Sequence, residues 1–334
     1  ASGGARRGQM APFRSGMAAF KPTPTQVVAA VKSLYKDGIR PYGRILLRRL
    51  GETAAAAAAA AGEGPADPEA VPYIDGKRLR RLCMACRALR VEPEEAGEYS
   101  VLVGGLPAAF VDGSDPRDPF PAELWSAAEA YFRGPGGGLG PEEMLLPAGR
   151  YACARELGAR GLPFLAGRSL GEVCHIVQLA IWQRRILGYL DGYVVPYSRS
   201  ETFIREQCAI RQQPVCKSWR NDAPAMPVAS WGEARACLQQ ILKAAASQGT
   251  GNGSPHQASV PLSNVKRLFH SWFNMELSET VLGHSRLCEL LQDPRFHDIC
   301  SVHVQGTGYI VTPPVHSNLA TTWVADCELV DASS

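Results

Sequence analysis

Four places in the 334-residue sequence bring together residue types that could do chemistry. Cys83 and Cys86 have the spacing of half a zinc site or of a redox pair. A structural zinc needs four ligands, and no second cysteine pair or His-x3-5-His accompanies them. Both fall on the leucine face of an expected helix, which reads as core packing. Cys174-His175 offers a nucleophile beside a base, but neighbouring helical residues point about 100° apart and do not readily share a hydrogen bond. The expectation there is a buried cysteine beside a surface histidine. Gly283-His284-Ser285-Arg286-Leu287 starts like a nucleophile elbow yet lacks the second glycine, and Ser285 is better used to cap a helix. The glycines between Gly134 and Gly140 precede no Gly-Lys-Ser/Thr and read as a linker, not a phosphate loop. The sequence therefore predicts no catalytic constellation, no metal site and no cofactor.

Binding residues are the remaining chemistry. The net charge is only +3, so placement carries the information. Lys32, Lys36, Arg40, Arg44, Arg48 and Arg49 stand against Asp37, and Lys77, Arg78, Arg80, Arg81, Arg87 and Arg90 stand in a stretch with no acid. The balancing Glu92, Glu94, Glu95 and Glu98 lie just beyond. Further on, Arg184 and Arg185 accompany Tyr189 and Tyr193, a cation-aromatic combination suited to phosphate contact and base stacking. Near the C-terminus, Lys266, Arg267 and His270 share one helix side, with Arg286 at the next helix and Tyr309 on a hairpin. The candidate RNA-binding set is Arg44, Arg48, Lys77, Arg78, Arg80, Arg81, Arg184, Arg185, Tyr189, Tyr193, Lys266, Arg267, His270, Arg286 and Tyr309. The alternative for each is that cations merely solvate a helix and tyrosines fill the core.

The elements that must hold these residues are mostly helical by periodicity. Val27, Val28, Val31 and Leu34 form a stripe over 25–37, stopped by Gly38. A second helix spans Gly43 to Leu50, and a third, Gly76 to Leu89, separates a face of Leu79, Leu82, Cys83, Cys86 and Leu89 from its Lys/Arg. Tyr99 to Val103 reads as a strand. The Ala54–Ala61 run, the Gly134–Gly140 cluster and Gln248–Gln257 read as insertions or linkers. Ala122–Phe132 is a joining helix. At the C-terminal end, a helix from Ser230, a strand at 259–262, a helix at 264–273, another from Ser285 and strands at 299–305 and 309–312 make a winged helix-turn-helix.

The run from Val260 to Pro314 resembles the OST-HTH/LOTUS domain: a strand with Pro261-Leu262-Ser263, a helix ending in an aromatic pair, Leu282-Gly283 before a leucine-rich helix, and a hairpin with Gly308-Tyr309. An internal echo pairs Leu170-Gly171-Glu172, Cys174, Gly192-Tyr193-Val194-Val195 with Leu282-Gly283-His284, Cys288, Gly308-Tyr309-Ile310-Val311. The expected fold is α+β, mainly helical, with a winged helix at 230–314 and two diverged copies upstream. The segments are a disordered tail 1–22; a module 23–112 with an Ala/Gly insertion 53–70; a joining helix and Gly-rich linker 113–147; a short module 148–200; a linker 201–229; the C-terminal module; and a tail 315–334.

The resemblance implies RNA binding, including preference for G-rich or G-quadruplex RNA, and in extended forms docking of a DEAD-box helicase. Post-transcriptional regulation or ribonucleoprotein assembly would follow. The attached nuclease of some relatives needs clustered acids, whereas those here are scattered. Between 230 and 314 basic and acidic residues balance, which turns attention to the upstream faces. The alternative is a protein-protein adaptor with little RNA affinity. Ten scattered cysteines point to reduced thiols and an intracellular, preferentially cytoplasmic setting. No stretch has the roughly 20 apolar residues of a membrane span.

Overall fold

The computed structural model describes residues 20–61, 74–107, 109–133, 144–215, 226–248, 259–306 and 308–314. The 134–140 glycine cluster, the 315–334 tail, residues 249–257, Cys216 and Cys327 lie outside those residues, as does the expected 1–22 tail except for its last residues. Of these, Phe20 packs against the N-terminal core. The fold is α+β and mainly helical. It divides into two compact units: the chain to Leu187 with Gly192–Val194, and Gly188–Asp191 with the chain from Val195.

In the first unit, α1 (Pro24–Lys36) starts in a reciprocal cap, with Gln26 N–H donating to Thr23 Oγ1 (3.3 Å) and Thr23 N–H to Gln26 Oε1 (2.8 Å). Val27, Ala30, Val31 and Leu34 form its buried stripe; Val28, expected with them, is half-buried. Helix α2 (Gly43–Ala60) runs ten residues past the expected end at Leu50, because alanine is the best helix former and nothing in Thr53–Ala60 breaks the ladder. The alanine run is thus helix, not linker. Helix α3 (Gly76–Ala85) is shorter than expected. Cys86 turns to an extended conformation (φ −85°, ψ 113°), and Leu89 opens strand β1 (Leu89–Pro93) opposite Val103 of β2 (Tyr99–Val103). The hairpin lets Leu89 reach the core that the expected helix was to supply.

Helix α4 (Ala122–Arg133) buries Leu124, Trp125, Ala128 and Phe132 in a second core with α5 (Arg150–Ala159) and α6 (Leu170–Trp182). The α5 residue Tyr151 belongs instead to the N-terminal core. Strands β3 (Leu187–Leu190) and β4 (Tyr193–Pro196) follow, joined by Asp191 (φ 48°) and Gly192 (φ 82°), the two positive-φ positions of a type I′ turn. The boundary between the units passes through this hairpin.

The second unit contains α7 (Glu201–Ile210), capped by Ser200, where the sequence suggested a linker. Then come α8 (Trp231–Gln248), β5 (Val260–Pro261), α9 (Leu262–Phe273), α10 (Leu287–Leu291), β6 (Ser301–Gln305) and β7 (Gly308–Thr312). The three strands form an antiparallel sheet in the order β5-β7-β6. Leu238, Ile241, Leu242, Val265, Phe269, Leu290, Phe296 and Val311 lead the core beneath it. Ser230 caps α8, but Ser285 does not cap α10. Its hydroxyl donates to Glu289 (2.8 Å), and Arg286 occupies the N-cap position.

The internal echo holds for one pair and fails for another. Tyr193 and Tyr309 both lie on the second strand of a hairpin. Gly171, however, sits inside α6, whereas Gly283 adopts φ 84° in a loop.

Candidate nucleic-acid interface

All fifteen candidate side chains are exposed, so the core alternative fails even for the three tyrosines. What separates them is whether the fold supplies an acid. The β1–β2 hairpin brings Glu92, Glu94 and Glu98 back over the start of α2: Arg40 pairs with Glu94 (2.6 Å) and Glu92 (3.4 Å), and Arg44 comes within 3.9 Å of Glu98. Arg49 binds Asp37 (2.5 Å), while Arg48 lies 3.4 Å from Glu52. The Ser100 hydroxyl hydrogen bond, helped by Arg40, holds the Glu94 carboxyl below its ordinary range. The first basic run is therefore largely compensated within the fold.

The α3 run is not. Lys77, Arg78 and Arg81 are exposed and have no acidic partner among the described residues. Arg80 lies over the Tyr99 ring at 5.2 Å, a cation-π contact that fixes its stem. The amphipathic pattern causes this: Leu79 and Cys83 take the buried side, which throws the cations of the same ten-residue helix outward. Cys83 is fully buried, and burial pushes its thiol up to about 11, in keeping with a packing role; Cys86 is half-buried at the helix end.

In the middle segment the pairing is tighter than expected. Arg184 donates to Asp118 at 2.5 Å and lies over Trp125 at 5.2 Å, so it ties α6 to the lead-in of α4. Arg185 takes a positive φ of 52° at the turn into β3. Tyr189 and Tyr193 are 42% and 49% exposed; the strand alternation puts Tyr189 on the side of Leu187. Cys174 and His175 are reversed from expectation. His175 is buried, with Nε2 2.8 Å from the Asp115 carbonyl and its ring on Phe120, while Cys174 is half-buried and donates to the Arg150 carbonyl. The histidine faces the 115–120 segment, a contact that no local period could show.

In the C-terminal segment, Lys266 is held by the buried carboxylate of Glu279, which Arg205 also approaches at 3.7 Å. Arg267 and His270 have no acidic partner among the described residues. Arg286 is 3.9 Å from Glu289, and Tyr309 stands opposite the exposed Val304 across the β6–β7 hairpin. Exposed aromatics missed in the sequence are Trp182 (73%), which ends the largely apolar α6, and Trp272 (48%), which stands beside the core-packed Phe273 at the end of the amphipathic α9.

Among the described residues no helix is long and apolar enough to cross a membrane. No curated protein and no solved structure matches the chain. The family match falls on the middle segment, not on 260–314 where the sequence resemblance lies, and it runs through α7 into the expected linker. Residues 142–212 match the model of the OST-HTH Associated domain, in keeping with an OST-HTH/LOTUS-associated protein.

Proposed function

We propose that this chain is a non-catalytic RNA-binding protein of post-transcriptional regulation or ribonucleoprotein assembly, working inside the cell and favouring G-rich RNA. One observation carries the reading: α3 presents Lys77, Arg78 and Arg81 to solvent with no acid from the described fold set against them, while most of the other basic side chains in the candidate set lie beside a carboxylate. Uncompensated cations on one face are what a phosphate backbone recognises. The helix orders α1–α2–α3–hairpin and α8–β5–α9–α10–hairpin support reading both segments as winged helices, with α3 and α9 beside their wings. Binding rather than catalysis is supported by the state of the adjacent Cys174 and His175: burial pushes the Cys174 thiol up to about 11, and His175 is spent on a backbone carbonyl. The described cysteines are unpaired thiols, which suits a reducing compartment.

Fluorescence anisotropy of the whole chain with G-rich and scrambled single-stranded RNA across a salt series tests this. Replacing Lys77, Arg78 and Arg81 by Gln should weaken binding to every RNA and flatten the log-log salt slope by up to about 0.7 for each lost contact. Replacing Arg267 and His270 should instead reduce discrimination for the G-rich sequence. Affinity that is unmeasurable at low salt, or unchanged in the α3 variant, sinks the reading. The exposed Trp182 and Trp272 favour a second one, a protein-protein adaptor such as a docking site for a DEAD-box helicase.

A further inference from the structure

A cavity of about 730 Å³ opens within the first unit, between the α1–α2 turn, the first turns of α2, residues 110–114 and the start of α5. Its wall carries Arg40, Arg44, Arg48 and Arg150 against one acid, Asp112. The four cations differ in what holds them. Arg40 is consumed by Glu92 and Glu94. Arg44 is 64% exposed and only grazes Glu98 at 3.9 Å, and Arg48 keeps 47% exposure beside Glu52. Arg150 has no carboxylate partner at all among the described residues. One nitrogen, Nη1, donates to the Gly113 carbonyl (2.7 Å) and the Ser114 hydroxyl (3.1 Å), and the other N–H groups of the fork have no acceptor among them. Two neutral acceptors thus fix the guanidinium in place and leave its charge uncancelled.

The aromatic residues set the second half of the chemistry. Arg44 lies over Tyr42 (5.6 Å) and Arg48 over Tyr151 (5.5 Å), so flat cations are held on aromatic rings at the cavity wall. Phe110 and Ile45 add apolar surface. Guanidinium planes and aromatic faces are what an unstacked base packs on, and forked guanidinium donors match phosphate oxygens. The volume lies within the range of roughly 300 to 1,000 Å³ of small-ligand sites, far larger than a bare phosphate fills. We propose that this cavity binds a nucleoside 5′-monophosphate group, with Arg44, Arg48 and Arg150 on the phosphate and the base against the half-buried Tyr42 and Phe110. A free nucleotide and the phosphorylated 5′ end of an RNA present the same group. The site stands apart from the α3 face and does not depend on it.

Isothermal titration calorimetry on the whole chain tests the site with the four nucleoside 5′-monophosphates, the matching nucleosides, inorganic phosphate, and one short RNA bearing either a 5′-phosphate or a 5′-hydroxyl. Monophosphates should bind about tenfold or more tighter than nucleosides and than phosphate alone, the scale of a charge-assisted hydrogen bond. Arg150→Gln and Arg44→Gln should each lose about tenfold. Arg44 is mostly exposed, so its variant keeps the test sound if Arg150→Gln melts early. A gain for the 5′-phosphorylated RNA over its 5′-hydroxyl form assigns the pocket to RNA ends; mononucleotide binding without that gain assigns it to free nucleotides. The triple Gln variant of Lys77, Arg78 and Arg81 should keep wild-type monophosphate affinity. In that variant weakened RNA binding with retained nucleotide binding upholds both readings, whereas a wild-type chain that binds monophosphates but no RNA overturns the RNA reading alone. Monophosphates that bind no tighter than nucleosides or phosphate, or unchanged affinity in both Arg variants with wild-type melting, overturn the pocket.

Discussion

At the scale of single residues, Gly171 does more for the first unit than its place in a Leu-Gly motif suggests. Its N–H donates to the Asp37 carbonyl at 2.8 Å, and a Cβ there would lie 2.8 Å and 2.9 Å from the Gly38 and Asp37 carbonyl oxygens. Backbone atoms cannot swing aside as a side chain can, so the start of α6 would have to lift from the α1–α2 turn. Gly171→Ala is expected to destabilise the unit by about 1 to 3 kcal/mol, the cost of overpacking. Gly158 in α5 has open space where a Cβ would stand, and Gly158→Ala should be neutral or stabilise by up to about 1 kcal/mol. Urea midpoints of the two variants decide it: a Gly171→Ala protein as stable as wild type would show that α6 does not need this approach. Composition and periodicity single out Gly171 only as an echo of Gly283, and the two serve unlike backbones. Arg150 was equally invisible, being an isolated cation whose partners lie 36 and 37 residues away.

At the scale of elements, what was legible was the buried stripe of α1, α3, α4 and α9, and what was not was where a helix stops or that α7 is one. The α1, α3 and α9 faces follow from spacing because Val31, Leu34, Leu79, Val265 and Phe269 each repeat with the helical period. Ends depend on tertiary partners: α3 yields at Cys86 so that Leu89 can pair with Val103, while α2 continues through alanines that no partner interrupts. The alanine extension gives a prediction of its own. Ala56, Ala57, Ala59 and Ala60 are exposed, so this part of α2 rests on propensity and not on burial. Ala57→Gly should cost the helix about 1 kcal/mol, seen as faster amide hydrogen exchange over Ala54–Ala60 with the thermal midpoint unchanged, because local opening there exposes no core. A parallel fall in midpoint would mean that the extension is packed as part of the cooperative unit. The charged site is element-scale as well. Sequence shows the cations of α2 and α3 alike, and the fold tells them apart: Glu98 of the β1–β2 hairpin, Glu52 and Asp37 stand beside Arg44, Arg48 and Arg49 of α2, whereas Lys77, Arg78 and Arg81 of α3 have no acid set against them among the described residues.

At the scale of the whole molecule, the cores predict where the chain can be cut. Every buried residue of the C-terminal core lies between Ala229 and Val311. A fragment of residues 226–314 removes only Arg205 from the Glu279 cluster and keeps the Lys266 ion pair, so the buried carboxylate retains a cation. That fragment should unfold in one cooperative urea transition with dispersed amide resonances. The N-terminal segment is a different case. Its core includes Tyr151 of α5, whose hydroxyl accepts from Arg49 (2.9 Å) and donates to Glu52 (2.9 Å), and Arg155 adds a 2.5 Å ion pair to the same Glu52. A fragment of residues 20–107 loses Tyr151 and Arg155, uncovers the face that α6 closes at Gly38, and leaves Arg49 and Glu52 part-paired. It should melt at lower urea than a fragment of 20–215, and with a smaller slope than its length warrants, because its native state buries less surface. Equal midpoints for those two fragments would show that the first core closes without α5. A broad, non-cooperative melt of 226–314 would mean that the C-terminal core draws on contacts that its own buried residues do not reveal.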